Sequence, residues 1–317
     1  MSRAAPAEIG ALAPARGVSR LLARPEGRFL FGYLLLLPAA FLTLFIIVYP
    51  IAVAVDLSFH RVRIMSLNAA ASPVTLDNYR RLAVASDFWD ACRVSLGFVV
   101  IVTISCFVIG LTIALLVNRR FRFQRVARLL VALPWAVPDV VAAAVWAWIF
   151  DGSFGVVNWI LLRVGVIDAP VAWLGEPYAA FAVVTVVMIW TTYPFVAIML
   201  LAGLQAIPAA LYEAARIDGA SAGQRLAFVT LPSLRPVIAI ALVLVVLKIV
   251  REFATIFVLT GGGPVGATRS LAVLTYEQAF SFYNIGYAAA VGIVTLAICA
   301  AVSTAMVRGS VGPEAAS

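Results

Sequence analysis

The chain contains few of the residues on which metal sites, disulfides and aqueous catalysis depend. One of its 317 residues is a histidine, one is a lysine, three are cysteines, and 12% are charged. The cysteines form no CxxC pair, and the single histidine, His60, lies far in sequence from all three. This spacing argues against a metal site and against a disulfide framework.

The single lysine also excludes the commonest nucleotide-binding loop. A phosphate loop, GxxxxGK[ST], places a lysine directly after a glycine, whereas Lys248 follows Leu247 in an apolar stretch. An intramembrane protease would need a serine–histidine pair or two aspartates within its spans, but Asp139 is the only aspartate there. We therefore predict that the chain is not an enzyme and holds no cofactor of its own.

Hydrophobic residues dominate what is present. They make up 64% of the chain, against about 45–50% in soluble domains, which excludes a water-soluble globule. A helix needs about 20 apolar residues to cross a membrane. Six segments reach or approach that length, so we predict an all-α integral membrane protein with six transmembrane helices: Phe29–Val55, Val94–Val117, Leu129–Phe150, Tyr178–Leu204, Pro236–Leu259 and Tyr283–Val307.

Arginines on the two sides of these spans indicate the orientation, because loops rich in Lys and Arg stay in the cytoplasm. With the N-terminus inside, fourteen arginines lie on the cytoplasmic side and seven on the outer side. The outer loop 56–93 holds five, as many as the tail 1–28, and gives no preference by itself. We predict that both termini are cytoplasmic. Because the positive charge flanks spans, we predict no nucleic-acid partner.

Four charged residues fall inside predicted spans, namely Asp139, Lys248, Arg251 and Glu252. An ionised group at mid-bilayer costs about 3 kcal/mol, so each must be paired or hydrated. Glu252 lies four residues after Lys248, which predicts an ion pair along one helical face. These charges either have a structural role, as an intramembrane ion pair that fixes packing or as a contact with a partner permease, or line a polar substrate path, and both interpretations stay open. For Asp139 we predict hydrogen bonds from backbone donors freed by Pro138.

The polar loop between the fourth and fifth spans has the pattern of a helical elbow. Pro208 suits the first turn of a helix, and Gly219 allows a sharp turn after Asp218. A second helix is then predicted to run toward Pro232. Such an elbow, small-sided and carrying Glu213, suits insertion into a groove on another protein. An amphipathic loop lying on the lipid surface is the alternative.

The same loop resembles a known family. Its stretches Glu213-Ala214-Ala215, Asp218-Gly219-Ala220 and Leu231-Pro232 match the EAA motif of permease subunits in binding-protein-dependent ABC importers. The resemblance covers most of the chain and is greatest to the maltose-type first permease of the carbohydrate-uptake branch. Further matches are Asn78-Tyr79, Pro134-Trp135, Asn158, Gly261-Gly262-Gly263-Pro264 and Gly286-Tyr287. The chain departs from the branch at Gly223 and Leu226, with Phe228 displaced, and at Phe253-Ala254.

The resemblance implies a type I ABC importer permease fold with an ABC transmembrane type-1 core. It implies that Glu213, Ala214, Ala215, Asp218, Gly219 and Ala220 couple the chain to a cytoplasmic ATPase dimer, which would bind the ATP and Mg. The other implied partners are a second permease subunit, an extracytoplasmic solute-binding protein, a sugar and the lipid bilayer. The implied location is the bacterial inner membrane. Glycerol 3-phosphate or another small solute is the alternative cargo, and a self-contained secondary transporter is the alternative class.

Four segments are predicted along the chain. The first is a cytoplasmic tail, 1–28, and the second is the first helix with its outer loop, 29–93. The permease core follows over 94–307 and contains the coupling loop 205–235. A second cytoplasmic tail, 308–317, ends the chain.

Overall fold

A computed structural model describes residues 25–63, 73–119 and 121–310. Most of the two predicted tails, 1–28 and 308–317, therefore lies outside the described residues. Regular structure in the described ranges is helical, with no strand, which confirms the all-α prediction.

The helices of these ranges vary in length from four residues to 33. They are α1 (Pro25–Thr43), α2 (Tyr49–Ser58), α3 (Asp77–Val84), α4 (Ser86–Asn118), α5 (Gln124–Ala136), α6 (Asp139–Ile149), α7 (Val156–Arg163), α8 (Pro177–Ala206), α9 (Ala209–Ile217), α10 (Ala222–Arg225), α11 (Leu231–Val250), α12 (Ala254–Thr260), α13 (Leu271–Tyr276) and α14 (Ile285–Ser310). Three π-helical turns, Leu44–Val48, Leu226–Thr230 and Glu277–Ser281, adjoin these helices.

The chain divides into two compact units, 1–56 and 57–317. In its described part, the first unit is one apolar helical run through Pro38 and the turn Leu44–Val48. Its aromatic rings form a ladder along one side, with centroids 6.3 Å apart for Phe41 and Phe45 and 5.9 Å apart for Phe45 and Tyr49. This composition is what a membrane-crossing helix requires.

The second unit is built around α4 and α8. Small residues let helices approach closely: a Cβ on Gly110 of α4 would meet the Val196 side chain at 2.9 Å, and one on Gly203 of α8 would meet Leu234 at 2.8 Å. Phe98 and Phe181 stack with ring centroids 4.4 Å apart. Close approach through glycine and stacking of large side chains are the packing devices expected where lipid removes the hydrophobic driving force.

Five helical runs in the described residues are long and apolar enough to cross a membrane, and a bent pair adds a sixth if it counts as one span. The pair is α5 and α6, which meet at 93° in place of the predicted continuous span Leu129–Phe150. Pro138 lacks an N–H and disfavours helical backbone at Val137, which is extended with ψ 127°. The predicted fifth span, Pro236–Leu259, is also wrong at its end, because α11 stops at Val250 and α12 begins at Ala254.

Candidate functional site

The elbow begins with α9, which ends in a Schellman motif. The N–H of Ala220 bonds the carbonyl of Ala215 at 2.9 Å, and the N–H of Gly219 bonds that of Arg216 at 3.1 Å. This pattern requires a left-handed residue just after the helix, and Gly219 supplies it with φ +74°. The predicted turn at Gly219 is therefore present, and the backbone geometry explains why a glycine stands there.

A capping box follows directly and was missed in the sequence. The side chain of Ser221 accepts a hydrogen bond from the N–H of Gln224 at 3.3 Å, and the Gln224 side chain accepts one from the N–H of Ser221 at 2.8 Å. The signal was available, because Ser-x-x-Gln is the capping-box spacing. The second helix then continues past Pro232 as far as Val250, since Pro232 falls in the first turn of α11.

Side-chain contacts fix the angle between the two arms of the elbow. The hydroxyls of Tyr212 and Thr230 lie 3.1 Å apart, and the Arg225 guanidinium donates to the carbonyl of Ala220. Between the arms lies a cavity of about 380 Å³ whose lining includes Ala215, Asp218 and Phe228. The elbow is therefore a surface with a notch, and side-chain hydrogen bonds connect its two arms.

The motif residues on this surface are presented outward. Glu213, Ala214, Asp218 and Gly219 are exposed, and Ile217 has 86% of its surface exposed. Within the described part of the chain, the side-chain carboxylate of Glu213 has no hydrogen bond or ion pair. An exposed apolar tip beside an unpaired carboxylate has the composition of a contact surface for another molecule.

The intramembrane charges pair differently from the prediction. The Lys248 Nζ lies 3.6 Å from the Asp139 Oδ1, so the ion pair joins the end of α11 to the start of α6. The predicted Lys248–Glu252 pair is wrong because α11 ends at Val250, and Glu252 lies beyond the helix. The bend at Pro138 leaves Asp139 in the first turn of α6. There the positive end of the helix dipole also stabilises its carboxylate.

Glu252 and Arg251 have separate local partners. Glu252 is buried, and its Oε1 accepts a hydrogen bond from the N–H of Thr255 at 2.9 Å, in the first turn of α12. Arg251 is exposed, and its Nε donates to the carbonyl of Leu247 at 3.1 Å. The four charges therefore satisfy three different interactions, and each sits where a helix begins or ends.

An aromatic cluster packs at the far end of α6 from the ion pair. The ring centroid of Trp146 lies 5.8 Å from that of Phe150 and 5.7 Å from that of Trp190. The ring centroids of Phe150 and Trp173 lie 5.8 Å apart. The Trp173 Nε1 donates to the Oδ1 of Asn158 at 2.8 Å. Asn158 is buried and also donates to the carbonyls of Gly152 and Val171, which closes the loop after α6.

A bundle of long apolar helices carrying an exposed elbow with EAA spacing defines the class of membrane-embedded transport subunits. The chain belongs to the family of binding-protein-dependent transport system inner membrane components, which matches over residues 107–308. The family assignment drawn from the motif is thus confirmed.

Several relatives extend the match to nearly the whole chain. The chain is 42% identical over 255 residues to a trehalose/maltose transport system permease protein of Thermococcus litoralis, covering 80% of this chain and 84% of that one. It is 36% identical over 285 residues to a diacetylchitobiose uptake system permease protein of Streptomyces coelicolor, covering 89% and 87%. It is 37% identical over 279 residues to a sulfoquinovosyl glycerol transport system permease protein of Agrobacterium fabrum, covering 88% and 90%.

A solved structure shares the fold. A chain from a bacterial ABC transporter involved in the import of the acidic polysaccharide alginate superposes with a TM-score of 0.76 at 23% identity, covering 89% of this chain and 96% of that one. The predicted ABC permease fold is thereby confirmed.

Proposed function

We propose that this chain is the non-catalytic permease subunit of an ATP-driven importer that moves a carbohydrate across the bacterial inner membrane. Membership of the binding-protein-dependent family supports the transport role. The names of three relatives, which concern trehalose or maltose, diacetylchitobiose and sulfoquinovosyl glycerol, support a sugar-containing cargo. Within that class we favour a di- or oligosaccharide.

The partners follow from the proposed role. The chain would pair with a second, similar permease subunit, receive its cargo from an extracytoplasmic solute-binding protein, and be driven by a dimer of ATPase subunits. Those ATPase subunits would bind the nucleotide and its Mg, because Lys248, the only lysine of this chain, is paired with Asp139 and lies in no phosphate loop.

The observation that carries the proposal is the outward presentation of the elbow. The arms of the elbow are fixed to each other by the Tyr212–Thr230 bond, while Glu213 and Ile217 face away from the chain. A rigid protrusion with an unpaired carboxylate can seat in a cleft of another protein and transmit its motion. Ala214 and Ala215 allow close approach, and Glu213 supplies the specific contact.

We further propose six spans with both termini in the cytoplasm, counting α5 and α6 as one broken span. The arginine excess on the side of the elbow supports this orientation. It places the elbow inside the cell, on the side where ATP is available.

Two alternatives are weaker. For glycerol 3-phosphate, the Lys248 ammonium is already paired with Asp139, so only Arg251, whose Nε bonds the carbonyl of Leu247, is left to meet the phosphate. A self-contained secondary transporter could use the helix break at Pro138 as an ion site. Membership of a family whose transport depends on a separate binding protein argues against that class.

The decisive experiment determines on which side of the membrane Glu213 lies. We expect Glu213→Cys to react with a membrane-impermeant maleimide only after spheroplasts are permeabilised. Val74→Cys is the matched control, because Val74 is 75% exposed in the loop predicted to be outside and should react in intact spheroplasts. The unaltered chain, with its three cysteines, gives the background. Labelling of residue 213 in intact spheroplasts would disprove the coupling role.

A further inference from the structure

A second polar cavity lies away from the elbow, at the N-terminal end of α14. It has a volume of about 440 Å³, and its lining includes three guanidinium groups, those of Arg61, Arg63 and Arg81, together with Asp77, Asn284 and Tyr287. Three of its eight lining residues are cationic and one is acidic. The formal charges of the lining residues therefore sum to a positive value.

The walls of the cavity are held in place by hydrogen bonds to the backbone. The Asn78 side chain donates to the carbonyls of Ser58 at 2.8 Å and His60 at 2.9 Å, and the N–H of Gly286 bonds the carbonyl of Val62 at 3.2 Å. A Cβ on Gly286 would meet the His60 carbonyl oxygen at 2.2 Å, so only glycine permits this approach. The segment that carries Arg61 is thus pinned against α3 and α14.

Asp77 shows that an anionic group can bind the arginines of this cavity. Its carboxylate pairs with Arg61 and lies 3.8 Å from the Arg80 Nη1. Hydrogen bonds involving the side chains of Thr75 and Arg61 hold the pKa of Asp77 below its usual value, so this carboxylate is ionised at neutral pH. Arg81 has no salt bridge to a carboxylate in the described part of the chain, so its guanidinium remains to bind an anion.

Tyr287 provides an independent sign of a missing partner. Its side chain is 2% exposed, and Arg81 covers its ring with the guanidinium carbon 4.4 Å from the centroid. Its hydroxyl has no hydrogen-bond partner in the described part of the chain. A buried hydroxyl without a partner costs free energy unless a ligand or water satisfies it.

The surroundings indicate where an anion would come from. Exposed aromatic side chains flank this end of the molecule, with Trp89 at 51%, Phe282 at 59% and Tyr283 at 45% exposure. Tryptophan and tyrosine concentrate at the level of lipid headgroups. The cavity, at the first turn of the apolar helix α14, therefore lies at the depth where lipid phosphates occur.

We propose that this cavity is a phosphate-binding site that takes the headgroup of an anionic phospholipid. Guanidinium groups bind phosphate oxygens through paired, charge-assisted hydrogen bonds, and Arg is the preferred residue for that geometry. The site accounts for arginines in loop 56–93 that the orientation rule leaves unexplained. It does not depend on the identity of the cargo or on the elbow.

The test measures lipid-dependent stabilisation of the full chain, purified in detergent with the subunits that accompany it. We expect dioleoylphosphatidylglycerol to raise the unfolding temperature at lower concentration than dioleoylphosphatidylcholine. Arg81→Gln should weaken the apparent affinity for the anionic lipid about tenfold, as expected for the loss of one charge-assisted contact. If Arg81→Gln does not fold, Arg63→Gln is the second variant, because the Arg63 side chain is exposed.

Arg93→Gln is the matched control. It removes the same charge from the same region, but Arg93 pairs with Asp90 at 3.0 Å and does not line the cavity. Its affinity for the anionic lipid should stay within about twofold of the unaltered chain, because exposed pairs contribute little. Equal stabilisation by the two lipids, or equal loss in Arg81→Gln and Arg93→Gln, would overturn the proposal.

A titration with inorganic phosphate separates the two sources of the anion. If the headgroup is the ligand, phosphate up to millimolar concentration should leave the unfolding temperature unchanged. If phosphate instead stabilises the protein in an Arg81-dependent way and the anionic lipid does not, the phosphate chemistry is supported but the lipid source is refuted.

Discussion

The elbow and the helix break at Pro138 handle polar groups in opposite ways. In the elbow, neighbouring residues satisfy the backbone through the Schellman motif and the Ser221 capping box, and the carboxylate of Glu213 is left exposed. At the break, Asp139 is paired with Lys248, which lies more than a hundred residues later in the chain. A region shaped by local bonds can present its charge outward, whereas the charge at the break depends on a partner from a distant part of the chain.

The largest expected effect comes from breaking the local geometry of the elbow. Gly219→Pro replaces a backbone at φ +74° with one fixed near −65° and should abolish ATP-dependent uptake while the spans remain inserted. Gly165→Pro is the matched control, because Gly165 has φ +71° and, like Gly219, open space around it. Uptake into proteoliposomes, with ATP hydrolysis measured in parallel, distinguishes them. Equal uptake by both variants would contradict the special role of the elbow.

A smaller effect is expected from breaking the ion pair at the helix break. Lys248→Met and Asp139→Leu should each lower the free energy of unfolding by about 1–3 kcal/mol, less than for a fully buried pair because both side chains are about one-third exposed. The double variant should recover at least about 0.5 kcal/mol relative to the sum of the single variants. Thermal unfolding in detergent provides these values, with Arg251→Gln as a control near zero.

The same double variant distinguishes between the two interpretations of these charges. If they only fix packing, the double variant should regain both stability and uptake. If they line the substrate path, stability should return while uptake stays low. Strictly additive losses of stability would show that Lys248 and Asp139 do not interact.

The smallest expected effect concerns the capping box. Ser221→Ala should lower stability by about 1 kcal/mol, because the N–H of Gln224 loses its acceptor, whereas Ser221→Asp keeps an acceptor and should stay close to the unaltered chain. Urea unfolding or thermal melting of the purified chain measures the difference. Identical stability of the alanine and aspartate variants would mean that the cap contributes nothing to the elbow.

Local patterns predicted the elbow well and the charged region poorly. Gly219, Pro208 and the alanines act through near-neighbour backbone geometry, so sequence spacing alone indicates the helix and its end. The Lys248–Asp139 pair depends on how α6 and α11 pack, and no sequence spacing reports that packing. Treating Leu129–Phe150 as one helix gave Pro138 too little weight, although the residue before a proline is disfavoured in helices.

The helix end at Val250 was missed for a related reason. Apolar content alone extends the fifth span to Leu259 and places Arg251 and Glu252 within it. Two adjacent charged residues at that depth are better explained by a helix end, because an end exposes backbone groups that charged side chains can bond. Glu252 does so with the N–H of Thr255.

The hydrogen bond between Tyr212 and Thr230 has a mechanical consequence. It bridges the bases of the two arms, so a push on α9 cannot be absorbed by flexing at Gly219 alone. The second arm, α10, continues through the turn Leu226–Thr230 into α11 as one helical run that ends at Val250. If another protein displaced the tip of the elbow, we expect the movement to pass along this helical run to Lys248 and the ion pair near its far end.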